Sequence, residues 1–84
     1  MDRGQRAQAA ADSAVTLERA QQRVDALTAL AFATGHRVAI HVENRPGIGI
    51  DVHFVMLGAG EKPPRGRAWT IYENRGGIAV GRSA

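Results

Sequence analysis

Two histidines and one aspartate, His41, Asp51 and His53, are the side chains of this sequence best suited to chemistry. Two imidazoles and a carboxylate begin a zinc or iron site, and a histidine beside an aspartate can act as a general base. Whether they meet depends on the strands that carry them. If Val42 lies opposite Ile50 in a hairpin, His41 falls across from Asp51 and Ala39 across from His53, and the three polar groups share one sheet face. There is no fourth ligand and no metal-ligand spacing, so His41, Asp51 and His53 are weak metal candidates, and a solvated His-Asp pair is the simpler expectation. No catalytic residue, metal or cofactor is expected.

The remaining motifs point the same way. There is no Walker loop, no GxSxG, no HExxH and no cysteine nucleophile. Gly47-Ile48-Gly49 is too short for a dinucleotide fingerprint and fits a turn followed by a bulge.

The elements that position these residues follow from hydrophobic period. Before residue 35 the chain is rich in Ala, Gln, Arg, Leu and Glu and free of proline, which predicts a helix over 12–34 with its N-cap at Asp12 or Ser13. Leu17, Ala20, Val24, Leu27 and Ala31, with Leu30 beside them, form the expected buried stripe. Residues 1–11 are expected to fray, and Gly35 to close the helix. From Arg37 the period becomes two: Val38, Ile40 and Val42 alternate with Arg37, Ala39, His41 and Glu43, and a second alternating run follows the turn residues at Asn44 to Gly47. Residues 37–57 therefore read as one hairpin, 58–66 as a loop rich in Gly and Pro, and 67–82 as a second hairpin.

The second hairpin repeats the first at an offset of 30 residues, with Arg37, Glu43, Asn44, Arg45, Gly47 and Ile48 matched by Arg67, Glu73, Asn74, Arg75, Gly77 and Ile78. Similarly shaped tips, each presenting an arginine, are expected. The predicted fold class is α+β: one long N-terminal helix packed on a four-stranded antiparallel sheet made of two consecutive β-hairpins, in a single domain of 84 residues.

Composition limits the function. Hydrophobic residues at 44% and charged residues at 23% suit a globular domain, and aromatic residues at 5% leave the core aliphatic. Without cysteine there is neither a disulfide nor a thiolate metal site, which fits a reducing compartment. The segment Met1 to Gln8 is polar, unlike a signal peptide, and no apolar run reaches the length of a membrane span, so the expected location is cytoplasmic. Net charge is +3, and the excess lies after residue 35, where Arg37, Arg45, Lys62, Arg65, Arg67, Arg75 and Arg82 face Glu43, Asp51, Glu61 and Glu73.

Alternation leaves Val55, Leu57, Trp69 and Ile71 pointing away from the helix, onto a sheet face with nothing in the sequence assigned to cover it. Rimmed by arginines, that face reads as a docking patch. The expectation is a small non-enzymatic binding protein acting stoichiometrically on a larger protein or complex, of the inhibitor or adaptor kind that phages and mobile elements direct at host machinery. Its partner-binding residues are Trp69, Ile71, Val55, Leu57, Arg37, Arg45, Arg67 and Arg75. The alternative partner is nucleic acid, held by Lys62, Arg65, Arg67 and Arg82. Homodimerisation through the sheet is a further expected option. In the competing arrangement the second hairpin flips, so that Trp69 and Ile71 meet the helix while Thr70 and Tyr72 face out.

Overall fold

The computed structural model describes residues 16–84. Helix α1 (Leu17–Ala33) leads into β1 (Arg37–Arg45), β2 (Gly49–Leu57), β3 (Thr70–Arg75) and β4 (Ile78–Ser83). The strands form one antiparallel sheet in the order β2-β1-β3-β4. This is the α+β architecture that the change of hydrophobic period predicts.

Helix α1 begins at Thr16, whose side chain accepts from the Arg19 amide at 3.3 Å. The cap expected at Asp12 or Ser13 lies outside the described residues, as does the rest of 1–15. Ala20, Val24, Thr28 and Ala31 are buried, whereas Leu17 and Leu30 are exposed. The true stripe includes Thr28 because its hydroxyl donates to the Val24 carbonyl at 2.8 Å, which lets it enter the core with its polar group satisfied. The helix closes on Gly35, at φ 74, with His36 N donating to Ala31 O and Gly35 N to Phe32 O.

The helix packs on β1, β2 and β3. Val24, Ala31, Val38 and Ile40 form the centre of this layer, with Leu27, Phe32, Val52, Met56 and Tyr72 around them. Val38, Ala39 and Ile40 are consecutive and all buried, so the centre of β1 is covered on both faces.

The two hairpin tips differ, which corrects the expectation of equivalent turns. In the first, Pro46 and Gly47 occupy the centre of a turn closed by Ile48 N donating to Arg45 O at 3.0 Å, and Gly47 has φ 78. Proline fixes a negative φ, so this tip takes a type II turn and needs an extra residue before Gly49. In the second, Gly76 and Gly77 both have positive φ and make a two-residue turn of the primed kind, with Asn74 Oδ1 accepting from Gly77 N. Because β1 and β3 are antiparallel, Arg45 and Arg75 sit at opposite ends of the sheet.

The first turn centres on Gly47, one residue later than expected, which moves the register. Val42 pairs with Val52, His41 with His53, Ala39 with Val55 and Glu43 with Asp51, two residues from the pairing expected. A shift of two keeps every side chain on its face. Tyr72 therefore joins the helix side while Trp69 and Ile71 lie on the other, and the flipped second hairpin does not occur.

On the helix side Tyr72 is paired with Gly81. A Cβ at Gly81 would lie 2.8 Å from Tyr72 Cε1 and 3.2 Å from Thr70 Cγ2, so the ring occupies the space a side chain would need. Gly81→Ala is expected to displace the tyrosine and cost about 1 to 3 kcal/mol in urea unfolding, against near-neutrality for Ala79→Ser on the same strand.

Candidate binding groove

The face turned away from the helix is not open. Residues 58–69 fold back across it as one long loop, and β3 begins only at Thr70, later than the expected start of the second hairpin. Four hydrogen bonds from three side chains fix the loop, two of them tying it to β1 through Arg37. Arg37 Nη2 donates to Gly58 O at 2.8 Å and to Glu61 O at 2.6 Å. Glu61 closes the first turn by accepting from Gly58 N at 2.8 Å. At the far end Trp69 Nε1 donates to Pro64 O at 2.7 Å.

The result is a second small core of Ala39, Leu57, Trp69 and Ile71, with Val55 beside it. Trp69 is 6% exposed, Ile71 8% and Leu57 1%. The apolar docking patch expected at Trp69, Ile71, Val55 and Leu57 is therefore not available as a surface: its largest members are consumed in sealing the loop to the sheet. Arg37, also expected to bind a partner, spends its guanidinium on two loop carbonyls.

What the loop creates is a groove of about 630 Å³ between itself and the end of β4. Pro63, Pro64, Ile71 and the edge of Trp69 make its apolar floor, while Lys62, Arg65, Arg67 and Arg82 stand on its rim. Arg82 and Arg75 both pair with Glu73, at 2.9 and 3.3 Å. Lys62, Arg65 and Arg67 make no ion pair with any described carboxylate. With Arg37 and Arg82 they outnumber Glu61, the acidic side chain in the lining, so the groove carries a cationic excess that suits an anionic chain better than an uncharged one.

The histidines lie on the same face, nearer the first hairpin tip. The rings of His41 and His53 stack with centroids 5.9 Å apart, and Glu43 Oε1 lies 3.7 Å from His41 Nε2 and 3.6 Å from His53 Nε2. Glu43, and not Asp51, is thus the carboxylate shared by the imidazoles. Asp51 pairs instead with Arg45, at 3.1 Å. Among the described residues no three His, Cys, Asp or Glu groups stand at metal-binding spacing. His41 Nδ1 lies 2.9 Å from the Ala68 carbonyl, which requires that nitrogen to be the donor. It ties β1 to the end of the loop, and the Trp69 ring meets His41 edge-on at 6.3 Å.

Asp51 is 8% exposed and its Oδ1 has no hydrogen-bond partner, so its charge rests on Arg45. Arg45→Ala should strand a buried carboxylate and cost about 1 to 3 kcal/mol, most of it restored by Asp51→Asn in the same chain. A double-mutant cycle by chemical denaturation measures this. Arg45, expected to contact a partner, is in this way a structural counter-ion.

Comparison with protein-family models, with curated proteins and with solved structures gives no match. The site is therefore characterised by its geometry and charge. Among the described residues no helix is long and apolar enough to cross a membrane.

Of the residues singled out in the sequence, Arg67, Lys62, Arg65 and Arg82 are brought together at the groove, and Arg45 and Arg75 are not. Sequence reasoning missed the covering role of the loop, and with it Pro63, Pro64 and Glu61. A signal was present: Val38-Ala39-Ile40, Val55-Met56-Leu57 and Trp69 followed by Ile71 put apolar groups on both faces of adjacent strands, the pattern of a sheet buried on two sides.

Proposed function

We propose that this chain is a non-enzymatic binding protein that acts stoichiometrically on a larger protein, as an inhibitor or adaptor does, by seating an acidic segment of that partner in the basic groove. The observation that carries this reading is the trio Lys62, Arg65 and Arg67, free of described carboxylates, above a floor of Pro63, Pro64 and Ile71. Apolar floor and cationic rim together favour a peptide, whose side chains alternate between the two chemistries. The lack of cysteine is in keeping with action in the cytoplasm.

Nucleic acid is supported less well. Stacking needs an accessible aromatic face, and Trp69 is buried while Tyr72 lies on the opposite side of the sheet from the cations.

The test is a calorimetric titration with a short synthetic peptide of alternating glutamate and valine, beside a single-stranded oligonucleotide of equal charge, at two salt concentrations. Saturable one-to-one binding of the peptide, surviving at physiological salt, is expected. Tighter binding of the oligonucleotide with a steep salt dependence would overturn the reading in favour of nucleic acid. Binding of neither ligand would overturn both readings.

A further inference from the structure

We infer that the acidic segment docks as a fifth strand on the free edge of β4, with its carboxylates turned to the basic groove. This rests on the groove reading above and adds the backbone geometry by which the partner is held.

β4 is the last strand in the sheet order, and all six of its residues are exposed. The direction of its free hydrogen-bonding groups follows from the hairpin. Arg75 pairs with Ile78 across a two-residue turn, and Ala84 N donates to Trp69 O at 3.0 Å. Antiparallel ladders alternate, so the pairs Arg75/Ile78, Glu73/Val80, Ile71/Arg82 and Trp69/Ala84 exchange the bonds within the hairpin. The N–H and C=O groups of Ala79, Gly81 and Ser83 therefore point outward, where no described strand receives them.

Natural edges are commonly blocked by proline, lysine, a bulge or an inward charge. β4 has no proline, lysine or bulge in Ile-Ala-Val-Gly-Arg-Ser, its charged residue Arg82 is drawn back to Glu73, and the residues whose backbone groups point outward have small side chains. A strand can approach along its full length. On the groove side an added strand would lie beside Ile78 and Val80, both exposed, and then reach Arg82, Ser83 and Ala84, which form one wall of the groove. The complementary ligand is an extended segment whose carboxylates line the groove side and reach Arg82 and the rim, while its alternate apolar side chains turn to the other face. The other edge, β2, is half-buried and carries Asp51 and His53, so it offers an acidic segment no comparable field. A second copy of this chain carries the same +3 charge, and its own β4, Ile78–Ser83, has no Asp or Glu to set beside the rim.

Strand addition leaves a mark that binding to the rim alone does not. With the glutamate–valine peptide at saturation, the amides of Ala79, Gly81 and Ser83 are expected to gain protection from hydrogen exchange at least tenfold. Methylating alternate backbone nitrogens of the peptide should weaken binding about tenfold in one phase of alternation and little in the other, and this requires no change to the protein. Ala79→Pro, which deletes an outward donor and no ladder bond, should weaken the peptide to the same degree. Equal affinity for both methylated peptides, with no β4 protection, would overturn strand addition and leave the groove reading standing. Failure of the unmodified peptide to bind would overturn both. Protection of β4 that rises with protein concentration in the absence of peptide would assign the edge to a second copy and also overturn the inference.

Discussion

Trp69→Ala is expected to lower the stability of the domain by about 3 to 5 kcal/mol, the range for removing a large aromatic from a packed core. The indole belongs to the second core with Ala39, Leu57 and Ile71, donates to Pro64 O at 2.7 Å, and meets His41 edge-on. A domain of this size has about 5 to 15 kcal/mol in total, so the variant should be partly unfolded near body temperature. Trp69→Phe keeps most of the apolar volume and loses the hydrogen bond, leaving Pro64 O to solvent; about 1 to 2 kcal/mol is expected. Urea unfolding followed by far-ultraviolet circular dichroism measures both. A loss below about 1 kcal/mol for the alanine variant would mean that the loop does not seal the sheet.

Joint removal of Lys62, Arg65 and Arg67 is expected to act in the opposite way, leaving stability within about 0.5 kcal/mol while weakening the acidic peptide roughly thirtyfold. None of the three has an ion pair or side-chain hydrogen bond within the described chain that its removal would break. An exposed cation contributes up to about 1 kcal/mol to a facing carboxylate, so three together amount to about 2 kcal/mol. The residual binding should also lose most of its salt dependence. Arg37 cannot be used in the same experiment, because its guanidinium holds the loop at Gly58 and Glu61 and its loss changes the groove itself. Two readouts therefore separate the residues that build the groove from those that charge it.

The division between what the sequence revealed and what it concealed follows the range of the interactions. Local period revealed the helix and four strands: the spacing of Ala20, Val24 and Ala31, the glycine at 35, and the alternation on both sides of Pro46. It also assigned the faces, since Val55, Leu57, Trp69 and Ile71 do turn away from the helix. Register was misplaced by two residues because Asn44 and Arg45 stay paired in β1 and the turn centres on Gly47, one residue later than the turn composition of Asn44 to Gly47 suggests. The docking patch failed for a longer-range reason. Composition marks residues 58–66 as incapable of strand pairing, which suggests exposure, yet Arg37 ties the loop to β1 through Gly58 and Glu61 while Glu61 and Trp69 brace it internally. Those contacts span up to 24 residues in sequence, and no local pattern encodes them. Lys62, Arg65, Arg67 and Arg82 are legible in the sequence as a cluster of cations, while their convergence on one groove depends on the same contacts.

The covered second face is tested most directly by quenching the single tryptophan with acrylamide. An indole sealed beneath residues 58–69 should emit at short wavelength and show a quenching constant several-fold below that of free tryptophan, rising to the free value in urea together with the loss of helix signal. An indole quenched as readily in the native protein as in urea would contradict the account, because Trp69 would then stand in solvent, the loop would lie away from the sheet, and the groove that gathers Lys62, Arg65 and Arg67 would not exist.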